Sequence, residues 1–171
     1  NNDLVHCGLI GNCGVISFNG NKLITTGGGG MIITNNENLA SKCRHLSTTA
    51  KKDHQWEFFH DQIAWNDRMP NLNAALGLAQ LEVIEKKIDQ KNQLLNKYLE
   101  SFSNVADAEI VLDKSFNIKN NWLINLRYLD EDKKIANMKK NDLLVKSNSQ
   151  GIYLRPVWRL LHKLPMYKNN P

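Results

Sequence analysis

The sequence has 171 residues, enough for one medium domain or two small ones. Its hydrophobic share of 42% and charged share of 23% are those of an ordinary globular chain, and no apolar run approaches membrane-spanning length. The formal charge of +5 suits anionic partners, phosphates among them, and is too mild to support a claim on nucleic acid.

The first and last residues read like the interior of something larger, so the sequence is expected to be a piece of a longer protein. Val15 to Phe18 and Met31 to Thr34 read as short buried strands. Between them lie an Asn-Gly turn, a single lysine, Lys22, and four glycines, Gly27 to Gly30. Asn35-Asn36 can cap a helix that runs through Arg44. Residues 47–70 lack periodicity and gather His, Trp, Phe and Asp, which predicts a long loop that binds something.

From Asn71 one long helix is expected to reach about Ser103. Leu81, Ile84, Ile88, Leu95, Leu99 and Phe102 share one of its faces. Unbroken, it would span on the order of 50 Å and bridge two domains. Trp122, Ile124, Leu126 and Tyr128 alternate as in a strand. Asp130-Glu131-Asp132 then starts a helix that runs to about Ser147. Gly151 leads into a last strand, 152–157, with Pro156 near its end. The order reads as α/β, with a βαβ-like unit last. The domain break falls near residue 105, giving units 1–104 and 105–171.

Cys7, Cys13 and Cys43 are an odd, sparse set, which suits a reducing cytoplasm. The spacing of Cys7 to Cys13 and of His54 to His60 is six residues, unlike a structural zinc signature, so no metal is expected. A Walker loop fails here: Gly14 to Gly20 is one residue too long, Asn21 intervenes before Lys22, and Leu23 follows it. Gly8, Gly11 and Gly14 fall three apart and do not make a dinucleotide fingerprint either. Glycines also serve tight turns and close packing.

Lys22 is the residue with chemical promise. A loop lysine is solvated by default. Held beside apolar strands and glycines, it would be partly desolvated, which favours the neutral, nucleophilic amine. Such an amine attacks aldehydes, and pyridoxal phosphate is the aldehyde cofactor of that chemistry. Ser17, five residues earlier, could meet a phosphate, and glycines would let a flat cofactor approach.

Three blocks carry a resemblance: GVISFNGNKLITTGGGGMIITNNENLASKCRHLSTTAK, IAWNDRMPNLNAALGLAQLEVIEKK and GIYLRPVWRLLHKLPMY. Together, in this order and over nearly the whole chain, they resemble the C-terminal portion of the DegT/DnrJ/EryC1/StrS pyridoxal-phosphate-dependent sugar aminotransferases. The likeness is to enzymes that aminate 4-keto-6-deoxy nucleotide sugars of the bacillosamine and legionaminic type. It implies the aspartate aminotransferase-like fold, type I: part of an α/β large domain carrying the cofactor, then part of a small α+β domain.

The resemblance also implies roles. Lys22 matches the lysine that forms the Schiff base and moves a proton as general base and acid. Ser17 matches a serine on the cofactor phosphate. Asn66 matches an asparagine that reaches a phosphate in the neighbouring subunit's site, which implies a homodimer. Arg68 is matched to binding of the anionic donor or substrate, with a structural ion pair as the alternative. Trp158 and His162 fall in the last block, near the family's substrate region, and receive no role. Asn12 departs from the acidic residue usual there, and the run of four glycines points to the legionaminic-type subgroup.

Family members are more than twice this length. The first half of such a protein supplies the aspartate on the pyridine nitrogen and the aromatic residue on the ring. The first expectation is therefore the lysine-bearing piece of a cytoplasmic enzyme that moves an amino group from glutamate to a 4-keto-6-deoxy nucleotide sugar for surface glycans. The piece alone is expected to be inactive. The alternative is a catalytically inactive truncated homologue that serves as an interaction or structural module. Self-association is expected to cover its open sheet edges. A nucleic-acid module rests only on the mild charge and the aromatic loop and is set aside, and no membrane partner is expected.

Overall fold

The structure is a computed structural model that describes residues 5–112 and 119–167. Two compact units partition the chain: residues 1–93 with 120–122, and residues 94–119 with 123–171.

The first unit opens with a 3-10 turn at Cys7–Leu9, then strand β1 at Gly14–Ser17 and strand β2 at Gly30–Ile33. β1 and β2 are antiparallel, with Gly14 opposite Ile33 and Ser17 opposite Gly30. Each lies one residue earlier than the expected strand, because the ladder closes on Gly14 and Gly30. Both glycines are sterically required. A Cβ at Gly14 would sit 2.3 Å from the Gly8 carbonyl oxygen, and one at Gly30 would sit 2.8 Å from that of Ile16. Helix α1, Glu37–Ser47, starts where expected: the Asn36 side chain accepts from the Leu39 N–H at 3.0 Å.

The single long helix is not observed. Two helices stand in its place, α2 at Asn71–Leu81 and α3 at Ile84–Phe102. Glu82 still bonds back to Leu78, at 3.1 Å, so the chain turns without a Pro or Gly to mark the break. Ile84, Ile88, Leu95, Leu99 and Phe102 are half-buried along α3 as the shared face predicts, whereas Leu81 is exposed.

In the second unit, strand β3 at Ala108–Ile110 pairs antiparallel with strand β4 at Leu126–Tyr128. β3 was not expected. The expected strand from Trp122 shrinks to β4, because only 126–128 find a partner. Helix α4, Lys133–Ser149, is capped by Asp132, whose carboxylate accepts from the Lys134 N–H at 2.8 Å. The expected strand 152–157 does not form, and no third strand completes a βαβ unit among the described residues. Short 3-10 turns at Leu161–Lys163 and Pro165–Tyr167 follow. Lys139 on α4 pairs with Asp107 at 2.7 Å and with Asp130 at 3.0 Å, and the bond from Lys139 holds the Asp107 carboxyl below its ordinary value.

Burial is thin. Among the described residues the buried hydrophobics are Ala50, Ala108 and Ile110, while Ile63, Leu72 and Tyr153 are more than four-fifths exposed. No described helix is long and apolar enough to cross a membrane.

Candidate active site

β1 and β2 are joined by the loop that carries Lys22. The loop folds back on itself. Phe18 donates its N–H to the Gly29 carbonyl (3.0 Å), and its own carbonyl accepts from the Thr26 N–H and the Thr25 hydroxyl, both at 3.0 Å. Lys22 closes a turn by donating its N–H to the Asn19 carbonyl at 3.0 Å. The glycine run serves this backbone. Gly27 and Gly29 lie at φ 80° and 109°, where a side chain is strained, and Gly30 is required by the ladder. Room for a cofactor is not needed to explain those three.

Residues far away in sequence fix the loop in place. The Gln80 side-chain oxygen accepts from the Thr25 N–H at 3.2 Å and from the Lys87 ammonium at 2.7 Å, and Lys87 also donates to the Leu23 carbonyl at 3.4 Å. The Asn73 amide donates to the Thr26 carbonyl. Thr26 is 2% exposed, and a Cβ at Gly77 would sit 2.8 Å from its methyl group, so α2 packs on the loop through a glycine. Trp122 adds another tie. Its indole N–H donates to the Asn21 carbonyl at 2.8 Å, and the Lys22 ammonium lies 3.8 Å from the centre of its ring. Asn73, Gln80, Lys87 and Trp122 escaped the sequence reading. Asn73, Gln80 and Lys87 stand on helical stretches and look like ordinary polar positions.

Ser17 and Lys22 come together at the same end of β1. Ser17 is exposed, and its hydroxyl accepts from the Asn19 N–H at a long 3.4 Å. Lys22 is half-buried. Asn66 is exposed and sits in an isolated antiparallel bridge with Thr48. Arg68 is exposed and lines an open depression of about 850 Å³ with Arg44, Asp67, Met69 and Ile33. Next to Arg68, Met69 approaches the lysine loop: its Cε lies 3.4 Å from where a Cβ at Gly29 would be.

The loop expected over 47–70 runs between the end of α1 at Ser47 and the start of α2 at Asn71, and residues 51–65 are its middle. Trp56, Phe58, Phe59, Ile63 and Trp65 on it are all more than half exposed. Its ends are pinned near α1, where Asp61 accepts from His45 Nε2 at 2.7 Å. That bond holds the Asp61 carboxyl below its ordinary value, with Lys52 contributing charge at 3.7 Å. Among the described residues no three His, Cys, Asp or Glu side chains are grouped to hold a metal.

Residues 5–171 match the DegT/DnrJ/EryC1/StrS aminotransferase family. EpsN of Bacillus subtilis, named as a pyridoxal phosphate-dependent aminotransferase, is 31% identical over 94% of this chain and 39% of its own length. GDP-perosamine synthase of Escherichia coli O157:H7 is 32% identical over 95% of this chain and 42% of its own length. In structure, the aminotransferase TlmJ from Streptoalloteichus hindustanus superposes with a TM-score of 0.83 at 21% identity, covering 94% of this chain and 42% of TlmJ. At that identity the likeness is one of fold. The chain therefore spans about two fifths of the length of the curated relatives it matches.

Proposed function

The chain belongs to the DegT/DnrJ/EryC1/StrS aminotransferase family, and from that premise we propose that Lys22 is the reactive lysine of a pyridoxal 5'-phosphate-dependent sugar aminotransferase. The reaction read here moves an amino group from glutamate to a 4-keto-6-deoxy nucleotide sugar in surface-glycan biosynthesis. The observation that carries this reading is the hold on Lys22. A half-buried lysine sits on a loop fixed by four side chains from elsewhere in the sequence, at the strand end that also presents a serine hydroxyl.

The donor set fits an aldehyde that carries a phosphate. The Ser17 hydroxyl is open to solvent, and no atom lies within 4 Å of where a Cβ at Gly20 would project from the turn between Ser17 and Lys22. Bound pyridoxal phosphate would supply the carbonyl that an amine attacks and a ring that withdraws electrons. Lys22 would supply the nucleophile toward that carbonyl and, as a free amine, a base and acid for the proton transfers. Ser17 supplies a hydroxyl donor to the phosphate. Asn66 is assigned to the phosphate of a neighbouring subunit's site, which makes the working unit a cytoplasmic homodimer, and Arg68 to an anionic donor or substrate.

Because the chain spans 39% and 42% of two relatives, turnover is assigned to a full-length protein and not to these 171 residues alone. The test is reductive trapping. The protein is mixed with pyridoxal phosphate, reduced with borohydride and digested, and the modified lysine is found by mass spectrometry. A single label on Lys22 is expected. Labels scattered over surface lysines, or none, would overturn the assignment. The exposure of Ile63, Leu72 and Tyr153 favours a second reading, a non-catalytic interaction module of the same ancestry. It expects scattered or absent labelling in the trapping experiment, and a single label on Lys22 argues against it.

A further inference from the structure

Trp122 lies one hundred residues from Lys22 and meets its loop twice. The indole N–H bonds to the carbonyl of Asn21, the residue before the lysine, at 2.8 Å. The ring face then receives the lysine's own ammonium, 3.8 Å from the ring centre. One contact holds the backbone beside the lysine and the other holds its head group. A chance surface contact between a lysine and an aromatic ring does not require the first of these.

Trp122 is itself anchored. Its carbonyl accepts from the Lys91 ammonium at 3.3 Å, and its N–H donates to the Asn120 side chain at 3.1 Å. Next to it, Asn121 donates its amide to the Asn92 side chain at 2.7 Å and takes φ 46°, the left-handed region that non-glycine residues enter at a cost. Lys91 and Asn92 are successive residues of α3. Residues 120–122 thus form a strained brace from α3 to the lysine loop, and Trp122 is its tip.

We propose that Trp122 is a positioning residue for Lys22, holding the loop through Asn21 and keeping the free ammonium over its ring until an aldehyde engages the amine. The proposal rests on the reading of Lys22 as the cofactor lysine. An aromatic face attracts a cation electrostatically and offers a neutral, carbon-bound nitrogen much less. The ring is therefore a resting place for the unreacted side chain. It keeps a flexible four-carbon stem from wandering and keeps the amine at the strand end where Ser17 waits.

The test starts with the unmodified sequence. Lysines are reductively methylated with ¹³C-formaldehyde, which preserves their charge, and the dimethylammonium signals are recorded by NMR. The Lys22 signal, identified by its loss in Lys22→Arg, is expected upfield of the other lysines because it sits over the ring. It should stay upfield in Trp122→Phe and join the others in Trp122→Leu. A Lys22 signal that coincides with the rest in the unmodified sequence overturns the proposal. A second readout is the rate of trapping by pyridoxal phosphate and borohydride. The fraction of label on Lys22 is expected to fall about two- to fivefold in Trp122→Leu, the range a contact of this kind allows, and to recover only in part in Trp122→Phe, which keeps the ring face but not the indole N–H to Asn21. Equal, Lys22-specific trapping in Trp122→Leu and the unmodified sequence overturns the positioning role and leaves the functional reading standing. Failure of pyridoxal phosphate to label Lys22 in the unmodified sequence overturns the functional reading and this role with it, whatever the NMR shift.

Discussion

Two loops of the first unit are built on opposite plans. The loop 18–29 is glycine-rich, and side chains of α2, α3 and residue 122 tie it down. The loop 51–65 is rich in aromatic residues and tied mainly to its own ends and to α1. Lys52 donates its N–H to Phe59, His60 bonds to Thr49, and Lys51 lies over the Phe58 ring. Its Trp56, Phe58 and Ile63 face solvent. The difference separates two ways for a loop to serve a site. One fixes a lysine through distant ties. The other keeps a large apolar surface available for something else to cover.

The comparison can be broken at several points. The largest effect is expected at Lys22, the lysine proposed to react: Lys22→Ala should abolish specific trapping by pyridoxal phosphate, read by mass spectrometry. Ser17→Ala should weaken cofactor binding about tenfold in a spectroscopic titration, through loss of a hydrogen bond to a charged group. Next comes the packing of α2 on the loop. Gly77→Val puts a side chain where the Thr26 methyl group already is, and should cost about 2 kcal/mol, read from the urea midpoint. Gln80→Leu strips a partner from both the Thr25 N–H and Lys87. It should cost about 1 kcal/mol and speed hydrogen exchange at Thr25.

The smallest effect concerns the other loop and appears only in acid. The Asp61 carboxyl is held below its ordinary value of 3.8, chiefly by the bond from His45. A carboxyl lowered in the folded state binds fewer protons there than when unfolded. Its contribution is therefore present above 3.8 and is lost as pH falls through the lowered folded value. Limited proteolysis within 51–65 should accelerate over that acid range, and His45→Gln should flatten the dependence. Loop 18–29, which holds no such pair, should not follow it.

Much of this was legible in the residues. β1 and β2 needed a shift of one position, but they are not the buried strands expected, since Val15, Met31 and Ile32 are exposed; the caps at Asn36 and Asp132 are side chains that declare themselves locally. The break between α2 and α3 was hidden because the apolar spacing runs straight through it and Glu82 keeps a helical φ of −58°. The run 152–157 is apolar enough at its start for a strand, but a ladder needs a neighbour, and the pairing that did form joins 108–110 to 126–128. Ser17 and Lys22 could be placed at one end of β1 because they lie close in sequence. Trp122 could not, since its meaning comes from a carbonyl and an ammonium a hundred residues away.

The double acceptance at Gln80 has a consequence for the chain's history. One oxygen receives both a backbone N–H and an ammonium, so this niche asks for an acceptor and makes no use of the amide's donor end. A carboxylate supplies the same acceptor and pairs better with Lys87. Glutamine and glutamate are therefore near-equivalent spellings at this position. A drift between them would alter the protein's net charge while leaving the lysine loop closed, whereas the same drift to leucine would open it.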